Sequence, residues 1–356
     1  MKIINRYIRS VILKTIFTVL LAVAGIEIFI MLVGELGDIG RAQYSLFNAL
    51  IYILLNLPDQ LYQFFPMIGL LGMLMGLGLL ANHSELIILQ SSGLSQARIA
   101  LISLKSILLL LLCMSLVGEV IAPRLNQYAM NYKEKKTNDH FVQHLLASHV
   151  WVHIGNNFLY VQAIDEKKIL HDIHLFEFDT NNKLLSILTA NNASYARGLW
   201  EATNIKEEKF LDNHIDTQYY SHVNLPLVLN PNLLINSTQN PTGLSLPALQ
   251  QTLKFNKANH SDDAFASLMF WRRILQPLAA LVMMLLALPF VFGSLRQSTH
   301  SLRLVIGIVL GFLFYYLNAF FGPIILLFHW SPLLGALFPT LIFSLAGILL
   351  LIRKQS

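Results

Sequence analysis

The sequence predicts an α-helical membrane protein with six transmembrane helices, three before and three after an inserted all-β domain. Six apolar stretches each approach the ~20 residues that a helix needs to cross a bilayer. Lipid offers no water to unpaired backbone groups, so such stretches close their hydrogen bonds as helices. Hydrophobic residues make up 55% of the chain and charged residues 13%. The stretches are Val11–Val33, Leu61–Leu80, Ile99–Ile121, Ile274–Phe292, Leu304–Leu326 and Pro332–Ile352.

Lysine and arginine in short loops predict the orientation of the spans. Both termini and the loops around residues 82–98 and 293–303 carry such residues and are expected in the cytoplasm, whereas the opposite short loops hold only Arg41. The polar segment then lies outside. The predicted domains are residues 1–122, 123–265 and 266–356. The positive residues are Lys2, Arg6, Arg9, Lys14, Arg98, Arg296, Arg303, Arg353 and Lys354.

The polar segment between the third and fourth spans has the composition of a β domain. Short runs of Val, Ile, Phe, Tyr and Trp recur about every ten residues and are separated by turn residues, a pattern typical of a sandwich or jelly roll. The only cysteine, Cys113, lies in the third apolar stretch, so the domain holds no disulfide. A helix is expected at Ser245–His260. The predicted strands are Val150–Ile154, Asn157–Ala163, His171–Phe178, Lys183–Ala190 and Ala193–Glu201.

Motifs for catalysis are not found in the sequence. It has no phosphate-binding GxxxxGK[ST] loop, no HExxH and no GxSxG. His140 and His144 are spaced i,i+4, which suits a shared metal, but no further ligands are defined and surface histidines are the simpler interpretation. We therefore expect no metal, and any ATP-driven work must be done by another subunit.

The segment Ser84–Gly93, between the second and third spans, predicts a two-turn helix at the cytoplasmic face. Ser84 suits an N-cap, Glu85 suits the positive end of the helix, and Gly93 suits a C-terminal stop. The segment is too short to span the bilayer and apolar enough to dock in a groove of another protein. A membrane-surface turn without a partner is the alternative.

Several separated motifs, in order along the whole chain, resemble the LptF/LptG permease family of lipopolysaccharide exporters. They resemble the G-type members more than the F-type members. The motifs are Phe64-Phe65-Pro66-Met67, Leu70-Leu71-Gly72, Gly76-Leu77-Gly78, Ser84-Glu85-Leu86, Gln276-Pro277-Leu278, Phe292-Gly293-Ser294-Leu295-Arg296 and Gly311-Phe312-Leu313-Phe314-Tyr315.

The resemblance implies a non-enzymatic permease subunit of an ATP-driven exporter in the inner membrane of a Gram-negative bacterium. Its outer β domain would be a periplasmic jelly roll. The implied partners are an LptF-like permease, a cytoplasmic LptB-like ABC ATPase dimer, and LptC-like and LptA-like periplasmic bridge proteins. The cargo would be lipopolysaccharide, and nucleic acid is not expected. This chain would bind no cofactor, since ATP and Mg would be used by the ATPase.

The family pattern also implies roles for individual residues. The short helix would be the coupling helix that sits in the ATPase groove, with Glu85 facing a basic residue there. The ATPase-coupling residues are Ser84, Glu85, Leu86, Leu89, Gln90 and Gly93.

Lipid A carries acyl chains and phosphates, so its cavity needs an apolar wall and nearby cations. Interfacial aromatic belts and snorkelling cations are the alternatives for these residues. The candidates are Phe64, Phe65, Tyr315, Tyr316, Phe320 and Phe321 for the wall, and Arg41, Lys133 and Arg272 for the phosphates.

The chain departs from the family pattern at the outer end of the first helix. Gly37-Asp38 stands there, where the resemblance implies lysines that contact the lipid A phosphates. Arg41 or the partner subunit would then replace that contact.

Glu27 lies well inside the first apolar stretch, where a carboxyl group is costly. Glu27 either faces a wet cavity or a partner cation, as a residue of the substrate path, or stays protonated and hydrogen-bonded within the bundle.

Two other classes of protein remain open. A self-contained secondary transporter would show inverted repeats and charged, broken helices, and neither is evident. A membrane-anchored periplasmic scaffold or sensor without transport activity would leave the coupling segment without a role.

Overall fold

The computed structural model describes residues 2–137, 145–165, 167–211, 214–225, 229–238, 241–259, 263–292 and 300–352. Within these ranges the chain forms two compact units. The first comprises residues 2–40, 44–133 and 267–352, and the second comprises residues 41–43 and 134–266. The histidine pair His140 and His144, the motif residues 293–296 and the terminal Arg353 and Lys354 lie outside the described residues.

The first unit is helical. Among the described residues, six of its segments are long and apolar enough to cross a membrane, which confirms the predicted six-span arrangement. The helices are α1 (Lys2–Glu35), α2 (Leu46–Asn82), α3 (Glu85–Ser91), α4 (Gln96–Leu116), a π-helical turn (Val117–Ile121), α5 (Ala122–Thr137), α8 (Ala264–Phe292), α9 (His300–Leu327) and α10 (Pro332–Ile352). The third span runs through α4, the π-helical turn and α5.

Helix α2 lies at the centre of this unit and packs closely against α1 at two glycines. A Cβ atom on Gly72 would lie 2.6 Å from the Cα atom of Ile16, and one on Gly76 would lie 2.6 Å from the hydroxyl of Thr15. That hydroxyl donates a hydrogen bond to the carbonyl of Gly72 at 2.9 Å. Gly72 and Gly76 therefore allow the backbones of α1 and α2 to approach closely.

The second unit contains six strands in the described residues, β1 (Leu145–Ile154), β2 (Asn157–Asp165), β3 (Leu170–Phe178), β4 (Leu184–Ala196), β5 (Leu199–Phe210) and β6 (Ile215–Leu225). Each strand pairs antiparallel with the next, in the order β1 to β6. The inserted all-β domain is confirmed. The jelly-roll assignment is not, because these strands form a single sheet in consecutive order.

One face of the sheet forms a hydrophobic core. Val161, Ile173 and Trp200 are fully buried on it, and α6 (Pro231–Thr238) packs against this core through Leu234. The indole of Trp200 donates a hydrogen bond to the carbonyl of Leu229 at 2.6 Å. A short 3₁₀ turn (Pro241–Gly243) and α7 (Leu246–Ala258) follow, the latter where a helix was predicted.

The predicted strand Ala193–Glu201 is wrong, and β6 was missed. Strand β4 continues through Asn192, which lies between two of the predicted strands. Asn192 pairs with Thr203, and its Oδ1 atom lies 2.7 Å from the His171 ring, so it belongs to the ladder. The turn comes at Arg197 and Gly198, both with positive φ, as in the tight turns of β-hairpins. Strand β6 is largely exposed and has no apolar alternation.

The contact between α1 and α2 predicts that Gly72→Ala destabilises the helical unit. The added methyl group overlaps the backbone of Ile16, and overpacking of this kind costs about 1–3 kcal/mol. The control is Gly25→Ala on α1, the helix that contacts Gly72, because nothing lies within 4 Å of the new Cβ atom there. Thermal denaturation in detergent should show a lower midpoint for Gly72→Ala only. Equal midpoints for both variants would contradict the packing argument.

Candidate functional site

Helix α3 forms the first candidate site, and it follows α2 after a sharp turn. Ser84 is the N-cap residue, as predicted, but its backbone is left-handed (φ 58°) and its side chain makes no capping hydrogen bond. Its carbonyl instead accepts hydrogen bonds from the amides of Ile87 and Ile88, both at 3.1 Å. Gly93 has φ +93° and follows the end of the helix, as predicted.

The residues that α3 exposes are not the leucines that were predicted to contact the ATPase. Leu86 is buried, and Leu89 is half-buried against the core of the helical unit. The exposed apolar side chains are Ile87 (47% exposed) and Ile88 (62% exposed), which the sequence analysis did not single out. A helix of seven residues is too short for periodicity to assign its faces.

A half-open cavity of about 670 Å³ lies beside α3. It is bounded by α3, the end of α2, the start of α4 and the end of α8. The lining residues are Ala81, Asn82, Leu86, Ile87, Gln90, Gln96, Val291 and Phe292. The predicted coupling residues Leu86 and Gln90 are therefore at a groove that is large enough to accept side chains from another protein.

Glu85 is in the first turn of α3, where a negative charge favours the helix. The hydroxyl of Tyr7 on α1 donates a hydrogen bond to its Oε1 atom at 3.1 Å. His83 Nδ1 lies 3.9 Å from the same oxygen. The glutamate side chain remains 31% exposed. The start of α1 and the start of α3 therefore meet at this carboxylate.

Arg303 was predicted in a loop, but it is in α9 and is fully buried. Its guanidinium donates hydrogen bonds to the carbonyl of Gly78 at 2.7 Å and to Asn82 Oδ1 at 2.8 Å. A Cβ atom on Gly78 would lie 2.8 Å from this guanidinium, so the glycine makes room for it. Arg303 thus joins α9 to the end of α2 next to the α3 cavity.

Lys133, a candidate phosphate contact, is held by two carboxylates. Its Nζ atom lies 2.8 Å from Glu35 Oε1 and 2.8 Å from Asp38 Oδ2, and it sits 5.0 Å from the centroid of the Tyr52 ring. Tyr44 donates a further hydrogen bond to Glu35 at 2.8 Å. A phosphate would have to displace at least one of these carboxylates in order to bind the ammonium group.

Arg273, next to the candidate Arg272, is at the centre of a buried ionic cluster. It donates to the Gly118 carbonyl at 3.0 Å and to Glu119 Oε1 at 3.2 Å, and its Nη2 atom lies 3.6 Å from Asp59 Oδ1. Gly118 and Glu119 belong to the π-helical turn. Arg273 therefore ties α8 to both α2 and the third span. Helix α8 begins at Ala264, so both arginines lie within the helix rather than at its end.

Arg272 is directed towards α9. It donates a hydrogen bond to the carbonyl of Asn318, and its Nε atom is buried without a hydrogen-bond partner among the described residues. Arg41 is exposed in the bend after α1 and belongs to the second compact unit. The structure therefore does not bring the three candidate cations together in one cluster within either unit.

The candidate aromatic residues divide into packed and exposed groups. Phe64 on α2 stacks on Tyr315 on α9, with ring centroids 4.9 Å apart. Phe65 is only 2% exposed and belongs to the core. Phe321 packs on Phe338 of α10 at 4.6 Å. In contrast, Tyr316 and Phe320 are 64% and 66% exposed on the outer surface of α9.

Glu27 lies on the inward face of α1, in register with the buried Val19 and Val23. It is 8% exposed. Among the described residues, no group of three or more His, Cys, Asp or Glu side chains is arranged to hold a metal ion.

Comparison with known proteins decides the family. Residues 6–353 match the family described as lipopolysaccharide export system permease LptF/LptG. The chain belongs to the LptF/LptG family. The chain is 33% identical over 354 residues to the lipopolysaccharide export system permease protein LptG of Haemophilus influenzae, with 99% of both chains covered. It is also 33% identical over 358 residues to the protein of that name from Escherichia coli K12, again with 99% coverage of both.

The resemblance drawn from the separated motifs is therefore confirmed, including the preference for G-type members. Membership of the LptF/LptG family and six apolar helices describe a multi-pass membrane permease subunit rather than a catalytic enzyme. The roles of the individual site residues stay predictions.

The Arg273 cluster predicts that Arg273→Met destabilises the helical unit. Removing the guanidinium leaves Asp59 and Glu119 without their shared cation, and breaking a buried ion pair in this way costs about 3–5 kcal/mol. The matched control is Arg124→Met, because Arg124 is exposed on α5. Thermal denaturation in detergent should show a large decrease in midpoint for Arg273→Met and a small one for Arg124→Met. Similar midpoints would show that the cluster contributes little stability.

Proposed function

We propose that this chain is the permease subunit of an ATP-driven exporter that extracts lipopolysaccharide from the outer leaflet of the inner membrane. The exporter passes its cargo to a periplasmic protein bridge that leads towards the outer membrane. The observation that carries the proposal is α3, a short helix in a chain of the LptF/LptG family. Its first turn has a partly exposed glutamate, and one of its faces is apolar and exposed. The names of the two relatives support lipopolysaccharide as the cargo.

The proposed partners follow from the features of α3. Ile87 and Ile88 project beside an acidic side chain, a combination that suits a groove with an apolar floor and a basic residue at one end. We assign that groove to a cytoplasmic ABC ATPase dimer, which uses ATP and Mg. A second, F-type permease completes the membrane part, and LptC-like and LptA-like proteins form the bridge.

The proposed orientation places both termini and α3 in the cytoplasm and the β domain in the periplasm. The contact between Tyr7 and Glu85 puts the start of α1 and α3 at the same end of the helical unit. The positive residues Arg6, Arg9 and Arg98 lie near these elements. This agrees with the excess of lysine and arginine in cytoplasmic segments.

The lipid path is proposed along α9 and α1. Tyr316 and Phe320 are exposed on α9 and offer an apolar wall, while the stack of Phe64 on Tyr315 fixes α9 against α2 behind them. Glu27 on α1 is the buried acidic residue of this path. Arg41 and Arg272 are proposed as phosphate contacts, and Lys133 contacts phosphate only after release from its carboxylates.

A charge reversal tests the coupling assignment and separates it from the scaffold alternative. Glu85→Lys places a positive charge opposite a basic groove, so the chain should lose its co-purifying ATPase and cells should lose surface lipopolysaccharide. The control is Glu201→Lys, the same charge change at an exposed position of β5. Affinity purification in mild detergent with identification of the subunits is the measurement. Normal recovery of the ATPase and normal export by Glu85→Lys would favour the scaffold.

A photo-crosslinking amino acid tests the lipid path. Placed at Tyr316 or Phe320, it should form adducts with lipopolysaccharide in cells because both side chains are exposed. Placed at Phe65, which is 2% exposed, it should form none. Adducts are detected by immunoblotting of the purified chain. Adducts at Phe65 with none at the two α9 positions would place the path elsewhere.

A further inference from the structure

The hydrogen bond between Tyr7 and Glu85 joins two elements that are 78 residues apart in the sequence. Tyr7 lies on α1, one turn before Val11, and the residue is 45% exposed. Glu85 opens α3, which has only seven residues. Helices this short are marginal by themselves and depend on contacts with the rest of the protein.

From this contact we propose that Tyr7 is a positioning residue for Glu85 and that it links the movement of α1 to that of α3. This inference rests on the proposed coupling function of Glu85. The phenol occupies one acceptor site of the carboxylate, which has others for a second donor. A basic residue of the docked ATPase then meets a carboxylate whose orientation is already fixed.

Two physical effects make the Tyr7 hydroxyl important for docking of the ATPase. A held carboxylate loses less side-chain entropy when it forms an ion pair than a freely rotating one does. Docking also covers the contact, which is partly exposed in the isolated chain, and excluding water strengthens the hydrogen bond. The contact is therefore expected to matter more in the assembled complex than for the stability of this chain alone.

The contact also has consequences for α1. Glu85 is held by α1, while Asn82, three residues earlier, is held by Arg303 of α9. The start of α3 is therefore tied by a side-chain hydrogen bond to α1, and the end of α2 is tied in the same way to α9. A displacement of α3 by the ATPase is transmitted to α1 through Tyr7.

A double-mutant cycle tests the inference in the complete complex, co-expressed with its ATPase and purified in mild detergent. The variants are Tyr7→Phe, Glu85→Ala and the double variant, and the readout is lipopolysaccharide-stimulated ATP hydrolysis in proteoliposomes. Tyr7→Phe keeps the ring and removes only the hydroxyl, so we expect a decrease of about three- to tenfold, the net size of one ordinary hydrogen bond at a partly exposed site. In the Glu85→Ala background, Tyr7→Phe should cause no further decrease.

The matched control is Tyr132→Phe, which removes a hydroxyl that donates to Asn48 Oδ1 at 2.7 Å in the same helical unit. Its effect should be the same with and without Glu85→Ala, because it contacts neither partner. Equal ATPase content and equal thermal midpoints of the purified complexes show that Tyr7→Phe leaves folding and assembly intact.

The possible results separate this inference from the proposed function. If Glu85→Ala and Glu85→Lys impair the complex but Tyr7→Phe behaves as the unaltered chain, the positioning role is wrong and the coupling function stands. The same holds if Tyr7→Phe causes its full decrease even in the Glu85→Ala background. If both Glu85 variants hydrolyse ATP and export normally, the coupling function and the positioning role are both wrong.

Discussion

The close contact between α1 and α2 is the constraint on which the other contacts of the helical unit depend. Gly72 and Gly76 lack side chains where Ile16 and Thr15 approach, so the two helices lie almost backbone to backbone. Because both helices are long and continuous, this contact also fixes their ends. At one end of α1 Tyr7 donates a hydrogen bond to Glu85, and at the other end Glu35 accepts one from Lys133 of α5.

The charged residues inside this unit serve first to hold helices together. Arg273, Lys133 and Arg303 each make two or more polar contacts with other elements, and all three are more than half buried. Such groups are costly in an apolar environment, and pairing within the protein lowers that cost. Asp38 illustrates this pairing, because its carboxylate lies 2.8 Å from the ammonium group of Lys133. A phosphate that bound Lys133 would therefore have to compete with Glu35 and Asp38.

The elements that sequence analysis assigned correctly are those with strong local patterns. Six apolar stretches, the strands from Val150 to Phe178 and the helix after Ser245 all follow from hydropathy or alternation. The errors occurred where local patterns conflict with distant pairing. Asn192 disfavours a strand by itself, but β4 contains it because neighbouring strands on both sides provide hydrogen bonds. The exposed strand β6 has no row of buried apolar residues, so its sequence lacks the apolar–polar alternation that predicts a strand.

The sequence by itself determined the membrane class, the order of spans and inserted domain, and the family, since each depends on composition or on motifs along the chain. Only the tertiary structure decided which side of α3 is exposed, which cations are already paired and which residue reaches Glu85. These properties depend on side chains from helices far apart in sequence. No spacing rule relates residue 7 to residue 85, whereas the packing of α1 on α2 places them in contact.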